Sequence, residues 1–155
     1  MAASVEIRIP NLTQVERKLG RELFMPHLAW LLTQAALLAE REARQGAPKD
    51  TSALARSITH EVKPLSARVY SPLQYAIVME EGRRPGAAMP PPQALLGWMR
   101  RHGIPASMAF VLARAIGRRG IKGRFFLKKA MDSVERSLPN LMSEMMRRIG
   151  TSWSE

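Results

Sequence analysis

The first part of the chain changes from a strand-like to a helix-like spacing of apolar residues. Apolar and charged residues alternate over residues 5–9, as in a strand with one buried face, and Pro10 ends the alternation. Apolar residues then recur every three or four positions over residues 11–45, which predicts a long helix. Either Gly20 or Pro26 is expected to bend or break that helix.

Shorter elements separated by turn residues follow the long helix. Asp50 or Thr51 can cap a short helix over residues 52–56, because a side-chain oxygen can accept a hydrogen bond from a free backbone N–H group. Residues 57–62 and 67–70 carry apolar side chains at strand spacing on either side of a proline-containing turn. This pattern predicts a hairpin.

The second half is predicted to be mainly helical. Helical spacing over residues 73–81 stops at Gly82, and four prolines and a glycine over residues 83–92 predict an extended, exposed loop. Two short helices, a flexible basic loop rich in glycine and a long helix are expected to follow, over residues 93–101, 106–117, 117–123 and 125–149. Pro139 should kink the last helix or divide it in two.

Together these elements indicate a single α+β domain over residues 1–155. A long N-terminal helix and a C-terminal helix are expected to pack on a small antiparallel sheet, with residues 83–124 inserted as a helical, loop-rich and basic segment. The chain is long enough to bury a core, and 46% of its residues are hydrophobic. No internal repeat and no long linker marks a second domain.

The charge of the chain is concentrated in one window. The whole chain has 24 Lys and Arg against 13 Asp and Glu, for a net charge of +11, and residues 83–129 hold 11 of the basic residues and no acidic one. The segments on either side are almost neutral. Such a window has a strong positive potential, suited to nucleic acid or to an acidic protein surface.

Several classes of chemistry find no support in the sequence. There is no cysteine for a disulfide or a thiolate, the three histidines His27, His60 and His102 are scattered, and no catalytic or phosphate-binding motif is present. The longest uncharged stretch, residues 23–39, is shorter than the roughly 20 residues of a membrane span and contains polar positions. We therefore expect no enzyme activity, no cofactor, no metal site and no membrane segment.

Two nucleic-acid-binding folds are possible alternatives. The spacing of Gly117 and Gly120 around two arginines is similar to the GxxG loop of a KH domain, and the helices on either side of Gly103 resemble a helix-turn-helix. The second of these helices is almost entirely apolar, with Arg114 as its main polar residue, so its apolar residues are expected to be core. They are Met108, Phe110, Val111, Leu112, Ala113, Ala115 and Ile116.

The aromatic residues of the basic window are also predicted to be core. Their spacing fits core positions better than a stacking surface for bases. They are Trp98, Phe110, Phe125 and Phe126.

Three short motifs occur in order along the chain. Residues 47–58, APKDTSALARSI, are similar to the pattern APxDTGxLxxSI, residues 75–82, YAIVMEEG, to YAxxxExG, and residues 123–130, GRFFLKKA, to PFFxxA. In this order the chain resembles a family of small head–tail joining or tail-completion proteins from the neck of long-tailed bacteriophages. Ser52 replaces the usual glycine and Arg124 the frequent proline, so the turn after Thr51 is expected to differ.

The motif residues also have scaffold roles that follow from ordinary chemistry. Asp50 and Thr51 can cap the short helix, and Tyr75 and Ala76 can pack the next helix on the sheet. Glu80 can pair with an arginine or accept a backbone N–H, and of the pair Glu80 and Glu81 one is expected to be salt-bridged and the other solvated. The motif residues assigned a structural role are Asp50, Thr51, Tyr75, Glu80, Gly82, Phe125 and Phe126.

The resemblance implies a virion protein that is assembled in the host cytoplasm and has no catalytic centre. It implies a homo-oligomeric ring that joins the head connector to the tail tube, between neck proteins on the connector or stopper side and tail-tube or tail-terminator proteins. The basic insertion would contact acidic partner surfaces or the DNA in the lumen, through Arg83, Arg84, Arg100, Arg101, Arg118, Arg119, Lys122 and Arg124. The alternative is a small basic nucleic-acid-binding module.

Overall fold

The computed structural model describes residues 3–9 and 20–152. Its strands are β1 (Ala3–Arg8), β2 (Thr59–Lys63), β3 (Ser66–Ser71), β4 (Gly82–Arg83) and β5 (Ile121–Lys122). Its helices are α1 (Arg21–Gly46), α2 (Ala53–Ser57), α3 (Ala76–Glu81), α4 (Pro92–Arg101), α5 (Ala109–Arg119) and α6 (Phe126–Ser152), with a 3₁₀ turn over Ala106–Met108. The predicted α+β class, with two long helices and a small antiparallel sheet, is confirmed.

The main sheet has the order β1-β3-β2, and both pairs are antiparallel. Val5 lies opposite Val69 and Ile7 opposite Ala67, so the apolar set of β1 and that of β3 share one face. The predicted hairpin is confirmed, since β2 pairs with β3 through Thr59 opposite Tyr70. The alternation of apolar and charged residues thus fixes which face of the sheet is buried.

The core lies between this sheet and the two long helices. Helix α1 contributes a closely spaced set of fully buried residues, and α6 contributes the facing set. Because four of the buried α1 residues are alanines, the neighbouring elements can approach its backbone closely. The buried residues are Phe24, Leu28, Leu31, Leu32, Ala35, Ala36, Ala39 and Ala43 from α1, and Phe126, Leu127, Ala130, Val134, Met145 and Ile149 from α6.

Gly20, Pro26 and Pro139 were the positions at which the two long helices were predicted to bend or break. Helix α1 begins after Gly20, whose φ of 79° is non-helical, and the predicted helical residues 11–19 lie outside the described residues. Pro26 lies within α1. Pro139 was predicted to kink or divide the last helix, and division is wrong, because α6 continues through Pro139. Pro139 is exposed, so the Glu135 carbonyl that loses its N–H partner faces the solvent side of the helix.

Two segments that were predicted to be loops are held by backbone pairing. Gly82 lies opposite Lys122 and Arg83 opposite Ile121, which forms the short ladder β4–β5. The Gly86 N–H also donates to the Gly117 carbonyl at 2.8 Å. Residues 84–91 form no helix or strand and are mostly exposed, in line with the loop predicted over residues 83–92, although Arg83 and Gly86 pair with the later segment. The prediction of a flexible loop over residues 117–123 is wrong, because the helix α5 continues to Arg119 and Ile121–Lys122 form a strand.

Candidate interaction surface

The second and third motifs meet at the start of α6. The Glu80 carboxylate is buried and accepts the Leu127 N–H at Oε2 and the Lys128 N–H at Oε1, both at 2.9 Å. The Phe125 N–H donates to the Glu80 carbonyl at 3.0 Å. The first N–H groups of a helix have no partner within it and carry partial positive charge, so a carboxylate stabilises them. Glu80 thus accepts backbone N–H groups, which was one of its two predicted roles. The expectation that one of Glu80 and Glu81 is salt-bridged is wrong among the described residues, and Glu81 is exposed.

Three glycines allow the backbones around this joint to touch. A Cβ atom on Gly82 would lie 2.4 Å from the Ile121 carbonyl oxygen, and one on Gly123 would lie 2.6 Å from that of Glu80. Gly120 is still more restricted, because its Cβ would lie 2.1 Å from the Arg83 carbonyl oxygen. Gly82 and Gly120 also have positive φ. Side chains at these positions would separate the two strands.

In the first motif, Ser52 adopts a left-handed backbone conformation. Ser52 has φ 55° and ψ 7°, the left-handed conformation that glycine adopts more easily. The Thr51 hydroxyl accepts the Ala53 N–H at 3.4 Å. Serine at this position therefore does not prevent a positive φ, which was the reason for expecting a different turn.

Asp50 does not cap the short helix and instead binds α4. Its Oδ2 accepts the Arg101 Nε–H at 3.0 Å and Nη2–H at 2.5 Å. The Arg101 hydrogen bond lowers the pKa of Asp50 below its usual 3.8, and Asp50 in turn raises the pKa of Arg101. The Asp50 carboxylate therefore pairs with Arg101 instead of capping the short helix. Arg101, which was predicted to contact a partner, is ion-paired within the chain.

A stacked aromatic pair adjoins this ion pair. The rings of Trp98 and His102 are 4.2 Å apart between centroids and 23° from parallel. The His102 Nδ1–H donates to the Trp98 carbonyl at 2.9 Å, and its Nε2 lies 3.7 Å from Asp50 Oδ1. The end of α4 is thus fixed to the turn of the first motif by Asp50.

Residues 92–119, which we call the arm, form a helical hairpin with a small buried set of their own. Met99 of α4 and Ala109 and Ala113 of α5 are buried but lie outside the main core cluster. Gly117 continues the same face of α5, where a Cβ would meet the Met89 backbone at 3.4 Å. The small side of α5 therefore faces inward.

This orientation overturns the prediction that the large apolar residues of the arm are core. Met108, Phe110 and Val111 are exposed, with Phe110 at 56%. Trp98 and Phe125 are exposed as well, and of the four aromatics predicted to be core only Phe126 is buried. Of the other residues predicted to be core, Ala113 is buried, and Leu112, Ala115 and Ile116 are half-buried. The largest side chains are exposed because the small residues Ala109, Ala113 and Gly117 form the face that packs inward. Tyr75 is also exposed, and Ala76 alone packs at that position.

The predicted contact residues divide into two groups. Arg83 is half-buried and donates to the Ala88 carbonyl, and Arg101 binds Asp50. The other six are exposed and, within the described residues, have no carboxylate within 4 Å: Arg84, Arg100, Arg118, Arg119, Lys122 and Arg124. Arg114 is exposed as well and lies four residues after Phe110, on the same face of α5. It was considered only as the main polar residue of the helix-turn-helix alternative and is not among the eight predicted contacts.

The geometry also bears on the two nucleic-acid-binding patterns. Arg118 and Arg119 lie in the last turn of α5, and the chain then enters β5, so Gly117 and Gly120 do not form the helix-to-helix loop of a KH domain. Helices α4 and α5 do pack as a hairpin, with Arg114 and Arg118 on the outer face of α5.

Within residues 3–9 and 20–152 no three His, Asp or Glu side chains converge as metal ligands, and no helix is long and apolar enough to cross a membrane. Comparisons with protein-family models, with curated proteins and with solved structures found no match to this chain.

Proposed function

We propose that this chain is a structural protein of the neck of a long-tailed bacteriophage, where it forms a ring that joins the head connector to the tail tube. The observation that carries this proposal is the joint at Glu80. Glu80 of the second motif caps the helix that the third motif opens, so two of the three motifs that carry the resemblance are joined in one scaffold.

A ring of identical subunits needs two different complementary surfaces on each subunit. The main sheet offers β1 and β2 as outer strands, which have no strand partner on their outer sides among the described residues. The basic insertion offers a separate, positively charged surface. In the proposed ring the insertion meets acidic surfaces of adjacent neck or tail proteins, or the DNA in the lumen, and the chain resides in the virion.

In vitro joining of heads to tails tests this function. We expect phage extracts that lack the chain to accumulate filled heads and separate tails, and purified chain to restore joined particles. Arg118→Glu changes an exposed arginine of the insertion, and Arg136→Glu changes an exposed arginine of α6 as a matched control. We expect only Arg118→Glu to reduce head–tail joining. Normal joining in extracts that lack the chain would contradict the proposal.

The alternative, a small basic nucleic-acid-binding module, is favoured by the exposed arginines on the outer face of α5. Phosphate contacts release counterions, so binding to random duplex DNA would weaken steeply as salt rises. A steep salt dependence by a protein that is monomeric at all concentrations, together with normal head–tail joining without it, would support this alternative.

A further inference from the structure

The outer face of α5 has an apolar end followed by a basic end. Met108, immediately before the helix, and Phe110 and Val111 in its first turn are exposed by 46%, 56% and 55%. Arg114 and Arg118 follow at intervals of four residues from Phe110 and are exposed as well. Residues four apart lie on one face, and a rise of about 1.5 Å per residue places these arginines about 6 and 12 Å along the axis from Phe110.

This mixture of side chains fits a protein partner better than a phosphate backbone. Aromatic residues, methionine and arginine are enriched at protein interfaces, where apolar residues lose their contact with water on binding. DNA phosphates would pair with Arg114 and Arg118 but would leave Phe110 and Val111 against a charged surface. The apolar end of the face would then contribute little to binding.

The charge of the partner follows from the charge of the insertion. Residues 83–129 contain no acidic residue, and neither Arg114 nor Arg118 has a carboxylate within 4 Å among the described residues. A partner that covers both ends of the face therefore needs apolar side chains against Phe110 and Val111, and carboxylates at the arginines, which Arg can bind in bidentate geometry.

We propose that the outer face of α5 binds an acidic amphipathic helix of another protein. Apolar residues of that helix cover Met108, Phe110 and Val111, and glutamates or aspartates about one and two turns away pair with Arg114 and Arg118. The proposal names the partner chemistry of the arm and rests on the proposed function only for its setting. Peptide binding by the isolated protein and head–tail joining are separate readouts, so either can fail alone.

The test uses a synthetic helical peptide of about 20 residues, with leucines on one face and glutamates four and eight positions from a leucine pair. A second peptide has lysines in place of the glutamates. Binding is measured by fluorescence anisotropy with the full chain and with two double variants, Phe110→Ser with Val111→Ser, and Arg114→Glu with Arg118→Glu. Matched controls are Leu65→Ser, an apolar residue also 55% exposed on the hairpin turn, and Lys63→Glu. Circular dichroism and thermal melting confirm folding.

We expect the glutamate peptide to bind the full chain, and each double variant to weaken binding about tenfold or more. The control variants should bind as the full chain does, and the Arg114→Glu, Arg118→Glu protein should bind the lysine peptide in preference. No binding of the glutamate peptide, or equal binding by the Phe110→Ser, Val111→Ser protein, would overturn the proposal. Displacement of the peptide by random duplex DNA would also overturn it and identify DNA as the occupant. Loss of self-association as the main effect of the Phe110→Ser, Val111→Ser variant would overturn it too and identify a second copy of the chain as the occupant.

Discussion

At the scale of single residues, Glu80 joins two distant parts of the chain. Its carboxylate accepts two N–H groups at the start of α6, and glutamine has one oxygen acceptor where glutamate has two. We expect Glu80→Gln to lower the free energy of unfolding by about 1–2 kcal/mol, because a charged cap is replaced by a weaker one. Denaturant unfolding measures the change.

The neighbouring carboxylate provides the control. Glu81 is exposed, so Glu81→Gln should change the free energy of unfolding by less than about 0.5 kcal/mol. Equal effects of the two substitutions would show that the buried hydrogen bonds of Glu80 are not a structural joint.

Ser52 is the residue whose conformation is least suited to its side chain. The left-handed conformation of Ser52 costs an L-residue about 1–2 kcal/mol, and glycine avoids this cost. Part of the resulting stabilisation is offset by the greater conformational freedom of glycine in the unfolded chain. We expect Ser52→Gly to stabilise the protein by about 0.5–1 kcal/mol in denaturant unfolding. The same substitution at Ser137, within α6, should destabilise it by about 0.5 kcal/mol. Destabilisation at both positions would contradict the left-handed assignment.

The Asp50–Arg101 pair makes the attachment of the arm sensitive to acid. Arg101 lowers the pKa of Asp50, so the contribution of the pair is present above the usual carboxyl value of 3.8 and is lost as the pH falls through the lowered pKa. NMR titration of the Asp50 carboxyl carbon should therefore give a midpoint below 3.8. A midpoint at 3.8 or higher would show that the pair does not form in solution.

At the scale of elements, the ladder β4–β5 depends on glycines that no other residue can replace. A Cβ on Gly120 would overlap the Arg83 carbonyl, so Gly120→Ala should destabilise the protein by about 2 kcal/mol or more. Gly97 in α4 has only the end of the Arg101 side chain nearby, at 3.6 Å. Gly97→Ala should stabilise the protein by about 0.5–1 kcal/mol, because alanine favours helix. Thermal unfolding that fails to separate the two variants would contradict this account of the ladder.

The sequence predicts elements well where one periodicity runs over many residues. The buried leucines of α1 and the alternation in β1 recur often enough to define a face, so both elements were predicted in type. Contacts between distant segments carry no such signal. The pairing of Gly82 with Lys122 and the binding of Asp50 to Arg101 depend on tertiary proximity, and Pro139 stays within α6 because it faces solvent.

The candidate site shows the same limit more sharply. The excess of positive charge in residues 83–129 can be read directly from the sequence, and most of the predicted arginines are exposed. The buried side of α5 cannot be predicted from apolar content alone, because Ala109 and Ala113 are buried whereas Phe110 and Val111 are exposed. The choice reflects close packing of α5 against its neighbours, where small side chains allow a shorter distance between backbones.

At the scale of the whole molecule, a nearly neutral scaffold carries a basic insertion with its own small buried set. The scaffold holds two of the three motifs and most of the third. The β4–β5 ladder pairs the two ends of the insertion, and the Asp50–Arg101 pair ties the insertion to the scaffold. Under the proposed function, folding would belong to the scaffold and recognition to the insertion. It is the arrangement that a subunit needs if it is to assemble in a ring while it binds other components.

Electron microscopy of tailed virions tests this account most directly. The chain would be labelled at the exposed hairpin turn beside Leu65, away from the insertion. The account predicts a closed ring of label at the junction of head and tail, and its loss together with head–tail joining when the chain is absent. Complete virions without label at the junction would contradict it.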